Sequence, residues 1–436
     1  MAAMTPEYDV AVIGAGVAGL AAASILREQG RHHIVIEASG RVGGRAWTTR
    51  PAALGGAVFD HGAVWLHAAD RNPLAEIAEK SGERPIDANE LRCRRTFTDG
   101  HWASEAELAD YDQSWQRFEE AAARLAGPGL PDVTLAEVAR QLPDDPWALT
   151  VETWEGPIIE AADADQLSLE DWRRNALSGG NLMFEGGLGD FIAGRLGSGA
   201  DVRLNTRATC VRWKGPGGAV AVETDAGTLR ASSCIVTLST GVLAAGGLRF
   251  DPGLPPAVGD CIAALPMGLA TKVALRATRT DRLDVPPFCL VERRVIRSGE
   301  PTMIFSFWPF ERDHVIGWIG GGAAWELMRE GPNAAVDFAR SELRRLFGAR
   351  ADAVFADPRA VVTGWGVDPF ARGAYAYARR GQAGARARLA QPLADGHLLF
   401  AGEACHDGLA GTVGGAYLSG TAAARIAAAA CDAGST

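Results

Sequence analysis

Gly14, Gly16 and Gly19 stand as Gly-x-Gly-x-x-Gly directly after the apolar residues Val10, Val12 and Ile13, and Glu37 closes a second apolar run, Ile34-Val35-Ile36. Glycines at this spacing suit one task well. Gly14 permits a tight turn, Gly16 lets backbone amides approach a pyrophosphate, and Gly19 allows a helix to press against a strand, so that phosphates meet the helix N-terminus. An acid at the end of the second strand accepts from a ribose hydroxyl and repels a 2'-phosphate, which predicts FAD or NAD rather than NADP. Lys272 is the second chemical candidate. The chain has three lysines, at 80, 214 and 272, against forty arginines. A lysine inside an apolar strand therefore reads as a placed amine, with a snorkelling strand-end lysine as the plainer alternative. His61 and His67 lack a third ligand nearby, so no metal site is expected.

The elements that must position these residues follow from periodicity. Residues 10–13 and 34–36 read as short buried strands, with a helix over residues 18–28 between them, which makes a βαβ unit. A helical pattern runs over residues 74–81. Residues 82–180 are charge-rich and helical in period, as over 104–124 and 133–140, and read as a helical insertion outside the nucleotide fold. A helix opening at Gly187, strands near 202–205, 210–213, 219–224 and 234–238, and a Gly215-Pro-Gly-Gly turn predict a β-meander returning to the parallel sheet. Strands near 272–276, 303–308, 315–319 and 360–365, with a helix over 334–346, predict a second sheet. Leu398-Leu-Phe-Ala-Gly402-Glu403 and the Gly411 turn before a terminal alanine-rich helix resemble another phosphate-proximal element.

The whole of 436 residues, 47% hydrophobic, is long enough for two joined lobes. A net charge of −10 disfavours nucleic acid and suits small cationic ligands. Seven scattered cysteines without a CxxC pair predict free buried thiols in a reducing compartment, hence a cytoplasmic protein. The glycine-punctuated apolar run at the N-terminus lacks a basic flank, so neither a signal peptide nor a membrane span is expected.

Taken together, Gly14-x-Gly-x-x-Gly with Glu37, Arg41-Val-Gly43-Gly44-Arg45, Gly62-Ala63-Val64-Trp65, Met267-Gly-x-x-x-Lys272-Val, and Ala401-Gly402-Glu403 followed by Gly411-Thr412-Val413 resemble the flavin-containing amine oxidases, from about residue 9 to residue 429. The resemblance implies an α/β fold, a Rossmann-like FAD-binding lobe (1–75, 183–245 and 386–436) joined to a substrate lobe of mixed sheet and helices (76–182 and 246–385). It implies non-covalent FAD, because Ala374 stands where covalently flavinylated members carry cysteine. The cofactor contacts it implies are Gly14, Gly16, Gly19, Glu37, Arg41, Gly43, Gly44, Arg45, Gly62, Ala63, Val64, Trp65, Ala208, Thr237, Trp365, Gly402, Glu403, Thr412 and Val413. Lys272, Tyr375, Thr412 and Trp365 are implied at the reacting side. Lys272 is expected on a water bonded to flavin N5, Thr412 across from Tyr375, and His67 and Tyr375 against substrate.

The reaction implied is hydride transfer from the amine α-carbon to flavin N5, giving an imine and then an aldehyde or ketone, with O2 reduced to H2O2. The pattern is nearest to polyamine oxidases, so a polyamine or a primary or secondary amine is the expected partner, with a homodimer as one expectation. Glu155, Glu160 and Asp163 are candidates for distal ammonium groups, with a solvated helix face as the plainer reading. The alternatives are an L-amino acid oxidase, which needs a carboxylate-binding arginine, a flavoprotein desaturase or isomerase, and a flavin-binding module without catalysis.

Overall fold

In the computed structural model, which describes residues 6–91, 93–175, 177–214 and 219–433, the first apolar run forms β1 (Tyr8–Ile13), the small-residue stretch forms α1 (Val17–Glu28) and the second run forms β2 (His33–Ile36). β1 and β2 pair in parallel, Val12 opposite Val35. Their apolar residues are buried on both sides, as in a sheet covered by helices on both faces. The strand Gly227–Val236 lies beside β1 and pairs with it in parallel, Ile13 opposite Val236, and pairs again in parallel with Leu398–Phe400, Val236 opposite Phe400. Three distant pieces of chain therefore end side by side at Ile13, Val236 and Phe400. In an open α/β sheet the carboxyl ends of parallel strands are where ligands bind. The meander is present as Ala208–Arg212, Val220–Thr224 and Gly227–Val236, antiparallel neighbours; the Gly215 turn lies outside the described residues. The terminal helix Val413–Ala433 crosses α1 closely: a Cβ on Gly420 would stand 2.0 Å from the Ala18 carbonyl oxygen.

The second sheet has the strand order 360–362, 270–276, 314–320, 304–307, 290–293, 94–98 and 101–102. Its two faces differ. Val273, Leu275, Phe305, Phe307 and Val315 pack on the helix Pro332–Phe347, whereas Ala274 and Ile316 pack on Leu54 and Phe59 from the segment that follows the cofactor glycines. Alternation along the strand puts Lys272 on the same face as Ala274, toward that segment.

Three expectations need correction. Residues 82–180 are not purely helical: the helices Glu105–Leu125 and Leu135–Ala139 form behind capping boxes at Ser104/Glu107 and Thr134/Glu137, but Arg94–Thr98 and His101–Trp102 are strands completing the second sheet. Their arginines mask the buried alternation of Thr96 and Thr98. The strand expected over 360–365 ends at Val362, and Trp365 belongs to the following turn. Cys93 and Cys289 form a disulfide, with Cα atoms 4.5 Å apart. They precede strands that pair in parallel, Arg94 opposite Leu290, a proximity that a sequence separation of 196 hides. Cys210, Cys234, Cys261 and Cys405 lie outside any disulfide, and Cys431 donates from Sγ to the Asp9 carbonyl at 3.4 Å. With that bridge formed, cysteine usage no longer argues for a reducing compartment. No helix among the described residues is long and apolar enough to cross a membrane.

Candidate active site

The cradle is built from absent side chains. A Cβ on Gly14 would stand 2.5 Å from Thr237 Oγ1, and one on Gly19 would stand 1.9 Å from the Gly14 carbonyl oxygen. Thr237 donates from Oγ1 to the Ile13 carbonyl at 2.8 Å, tying the middle strand to the glycine turn. Gly16 bridges Gly43, the Gly43 amide donates to the Ala15 carbonyl at 2.8 Å, and a Cβ on Gly44 would come within 3.1 Å of the Gly16 Cα. The second glycine pair is thus folded directly over the first. Arg41 donates to the Gly44 carbonyl at 2.7 Å and stacks over Trp47 at 4.4 Å. Glu37 accepts from the Ala15 amide and from Ser39, each at 2.8 Å, which fixes a carboxylate at the end of β2 where a ribose hydroxyl would compete for it. The Thr206 amide donates to the Glu37 carbonyl at 2.8 Å, so Ala208 begins its strand close by.

The terminal segment closes the same space. Arg45 donates to Glu403 at 2.8 Å and to the Ala374 carbonyl at 2.7 Å, while Glu403, 6% exposed, also accepts from the Ala376 amide. Ser419 spans both backbone groups of Gly402, accepting from its amide at 2.9 Å and donating to its carbonyl at 2.8 Å. Val413 starts the terminal helix and is buried. Arg45, Thr237, Gly402 and Glu403 line one cleft. Backbone amides, glycines that cannot carry a Cβ, and an acid at the end of β2 together match the demands of a dinucleotide.

Lys272 faces this cradle from the second sheet. It is 6% exposed, and its Nζ donates to the Asp60 carbonyl at 2.7 Å and to the Gly62 carbonyl at 2.6 Å. Burial pulls its pKa down to about 8, with Asp60 opposing the shift. Gly62 has no room for a Cβ, which would stand 1.7 Å from the Arg45 carbonyl oxygen. Trp365 reaches the same loop through an indole N–H donated to the His61 carbonyl at 2.9 Å. His61 stacks on Trp47 at 4.0 Å, and burial lowers its pKa to about 4. Ala63 packs against the core of the first sheet, and Val64 and Trp65 line a cavity on the Lys272 side.

Tyr375 lies over Gly411, where an added Cβ would meet its ring at 3.4 Å, and its hydroxyl donates to the Ile159 carbonyl at 2.7 Å. Thr412 follows Gly411, but its hydroxyl is committed to the backbone: it donates to the Leu409 carbonyl at 2.7 Å and accepts from the Gly415 amide at 3.0 Å. His67 pairs with Asn181 at 2.6 Å, with its ring 5.9 Å from Trp65.

The acids of the insertion divide. Asp163 is structural, accepting from the Gly322 amide at 2.9 Å. Glu155 and Glu160 sit on the π-helical turn Trp154–Glu160 and are half-buried, contrary to the solvated-face reading. Burial raises Glu155 to about 7, with Trp172 donating to its carboxylate at 2.8 Å. Burial, then repulsion from Asp171, raises Glu160 to about 8, and Glu160 acts electrostatically on Tyr375. Ser419, Trp47 and the fully buried Arg386, paired with Asp171 through two bonds of 2.8 Å, were not expected from sequence. A lone serine within an alanine-rich helix facing Gly402 is the only signal that could have marked the first.

The profile described as flavin containing amine oxidoreductase matches residues 17–428. A polyamine oxidase 4 of Oryza sativa subsp. japonica is 28% identical over 95% of this chain and 88% of its own length. A lysine-specific histone demethylase 1 homolog 3 from the same source is also 28% identical, over 95% of this chain and 53% of its own. A solved wild-type putrescine oxidase bound to putrescine superimposes with a TM-score of 0.80 at 21% identity, covering 97% of this chain and 99% of that one.

Proposed function

Because the chain belongs to the flavin-containing amine oxidoreductases and its cofactor is FAD, we propose that it oxidises a small amine carrying a second cationic nitrogen, with dioxygen as acceptor and hydrogen peroxide as product. The observation that carries this reading is the pair Glu155 and Glu160, half-buried on the turn whose Ile159 carbonyl holds Tyr375. Glu155 repels Glu160, and a cation beside the two carboxylates relieves that repulsion. A substrate carboxylate would meet the same field with the wrong sign, and Arg386, which acts on Glu160, commits Nε and Nη2 to Asp171.

When bound, the flavin supplies acceptance of a hydride. The chain supplies the rest. Tyr375 and Trp365 wall the cleft and orient the amine, and the apolar surroundings favour its uncharged form, the one with a lone pair to release. Lys272 holds the Asp60–Gly62 backbone against the second sheet and keeps a third N–H for a water or substrate at the reacting edge. Ala374 offers no thiol, so FAD is held without a covalent bond.

The test is an anaerobic titration of the yellow protein with putrescine, spermidine, spermine, simple alkyl and aryl amines, and L-amino acids. Diamines or polyamines should bleach the flavin at the lowest concentrations, and acid precipitation should release the flavin into solution. Bleaching by amino acids alone would move the chain to the L-amino acid oxidases, and bleaching by none of these compounds would remove the oxidase reading.

A further inference from the structure

The strand His314–Gly320 pairs with Ala270–Arg276 so that Lys272 stands opposite Trp318. Alternation then puts His314, Ile316 and Trp318 on the Lys272 face. This row forms one wall of a partly open cavity of about 50 Å³, lined also by Phe59, Asp60 and Trp65 from the cofactor side and by Phe288, Phe310 and Arg312 at the rim. Its lining differs from ordinary core in two respects. His314 is 1% exposed and neither ring nitrogen has a hydrogen-bond partner; the Trp65 indole N–H is likewise buried and unpartnered. Such atoms are rare in folded proteins unless something else satisfies them. At the rim, Phe288 and Phe310 hold φ of +60° and +53°, and their rings meet edge to face at 5.2 Å. Bulky residues keep that backbone conformation only where the surroundings impose it, and such places cluster at ligand clamps.

The charge around the cavity selects its occupant. Arg312 stands 4.8 Å from the Phe310 ring and Lys272 stands 6.0 Å from that of Phe59, so two of its aromatic walls already face cations. The Asp60 carboxylate points elsewhere, accepting from Thr48 at 2.5 Å and from the amides of Leu188 and Gly189. Burial keeps His314 neutral, with a pKa of about 4. A further cation would be repelled by the two already there, whereas a flat uncharged ring has aromatic walls and waiting polar atoms.

We propose that this cavity, widened by displacement of the Phe288 and Phe310 rings because a benzene ring needs about 150 Å³, receives an uncharged aromatic arm of the amine substrate, with a hydrogen-bond acceptor on the ring to meet the Trp65 N–H and His314. The proposal rests on the amine-oxidase reading and specifies the substrate at that site. The same strand ends at Gly320, where a Cβ would stand 1.6 Å from the Pro157 carbonyl oxygen, so it also abuts the acidic turn. At about 3.3 Å per residue, His314 lies roughly 20 Å from that end, and Trp318, with Lys272 across from it, lies between. A secondary amine with an ammonium on one arm and an aromatic ring on the other would lie along this floor with its reacting nitrogen near Lys272.

The probes are putrescine, N-benzylputrescine and N-(4-methoxybenzyl)putrescine, read as kcat/KM. The benzyl group should raise kcat/KM by about tenfold or more, a gain typical of filling an apolar subsite, and the methoxy group should raise it further. Ser306→Phe and Ile316→Phe, which fill the cavity from different strands, should bring the benzyl-to-parent ratio close to unity. His314→Phe should remove the methoxy increment. Val367→Ala, at a site 71% exposed, should preserve the ratio. On the unmodified enzyme, anisole should inhibit turnover of the benzylated amine competitively and that of putrescine weakly, a measurement independent of how any variant folds. A ratio near unity in the unmodified enzyme, or one that survives both fillings, overturns the aromatic-arm site while putrescine-driven bleaching leaves the oxidase reading standing. Failure of all three amines to reduce the flavin overturns both.

Discussion

The glycine cradle and the wall running from Lys272 to Glu160 face the same space but are made of different material. The cradle is backbone: Gly14, Gly19, Gly44 and Gly62 serve by having no side chain where the next segment passes. The wall is side chain: Lys272, Trp318, Tyr375 and Glu160 come from a strand, its neighbour, a late loop and a π-helical turn. A backbone site is specified within a short stretch and fails when any atom is added. A side-chain wall can change one residue at a time, so cofactor and substrate are specified with different tolerance.

The sharpest break of that contrast lies at Gly19. Gly19→Val places a Cβ where 1.9 Å separates it from the Gly14 carbonyl oxygen, and the protein should purify without visible flavin absorbance. Gly16→Ala makes the complementary case, since its Cβ meets only the Gly44 Cα at 3.9 Å. That variant should fold and still be depleted of FAD, showing that the excluded volume belongs to the pyrophosphate. Full flavin in Gly19→Val would mean that the turn yields and that the cradle is no more demanding than the wall.

Lys272 stands between the two materials, a side chain that grips cradle carbonyls. Lys272→Met should keep its flavin yet lose about a hundredfold in kcat/KM, within the range for a group acting on a proton or water at the reacting edge. Because burial depresses the Lys272 pKa to about 8, the amine is cationic below that pH and neutral above it, and a limb of the pH profile there should vanish in the variant. Loss of flavin together with activity would make Lys272 a brace for the Asp60–Gly62 segment and nothing more.

The two materials were also unequally legible in the chain. Gly14, Gly16, Gly19 and Glu37 stand in order within one βαβ unit, where local pattern and function coincide, so β1, α1 and β2 could be drawn before any fold was known. Lys272 was visible through rarity. The strand Arg94–Thr98 was not, because its paired arginines resemble a helix surface and its partner lies near residue 290. The Cys93–Cys289 bridge follows from that same long-range pairing and was hidden with it. The commitment of the Thr412 hydroxyl to backbone partners is revealed only by three-dimensional placement. Glu160 read as surface because a charged residue in a charged stretch carries no mark of burial.

Glu160 therefore gives the finest test of the wall. Its carboxyl titrates near 8 and that of Glu155 near 7, both raised chiefly by burial. A carboxylic acid with a raised pKa is neutral below it, so neither group attracts an ammonium in mildly acidic buffer, and both do once ionised. KM for putrescine should accordingly fall as pH rises from about 6 to about 9, while butylamine, which lacks the second nitrogen, should follow only the ionisation of its own amine. Glu160→Gln should raise the putrescine KM about tenfold at the alkaline end, a charged hydrogen bond discounted for solvent reaching a half-buried group. The same variant should leave butylamine within about twofold, because the reacting nitrogen sits beside Tyr375 rather than on the acid. Equal losses for both amines would show that Glu160 shapes the turn under Tyr375 instead of holding the distal cation, and the wall would then owe its selectivity to aromatic packing alone.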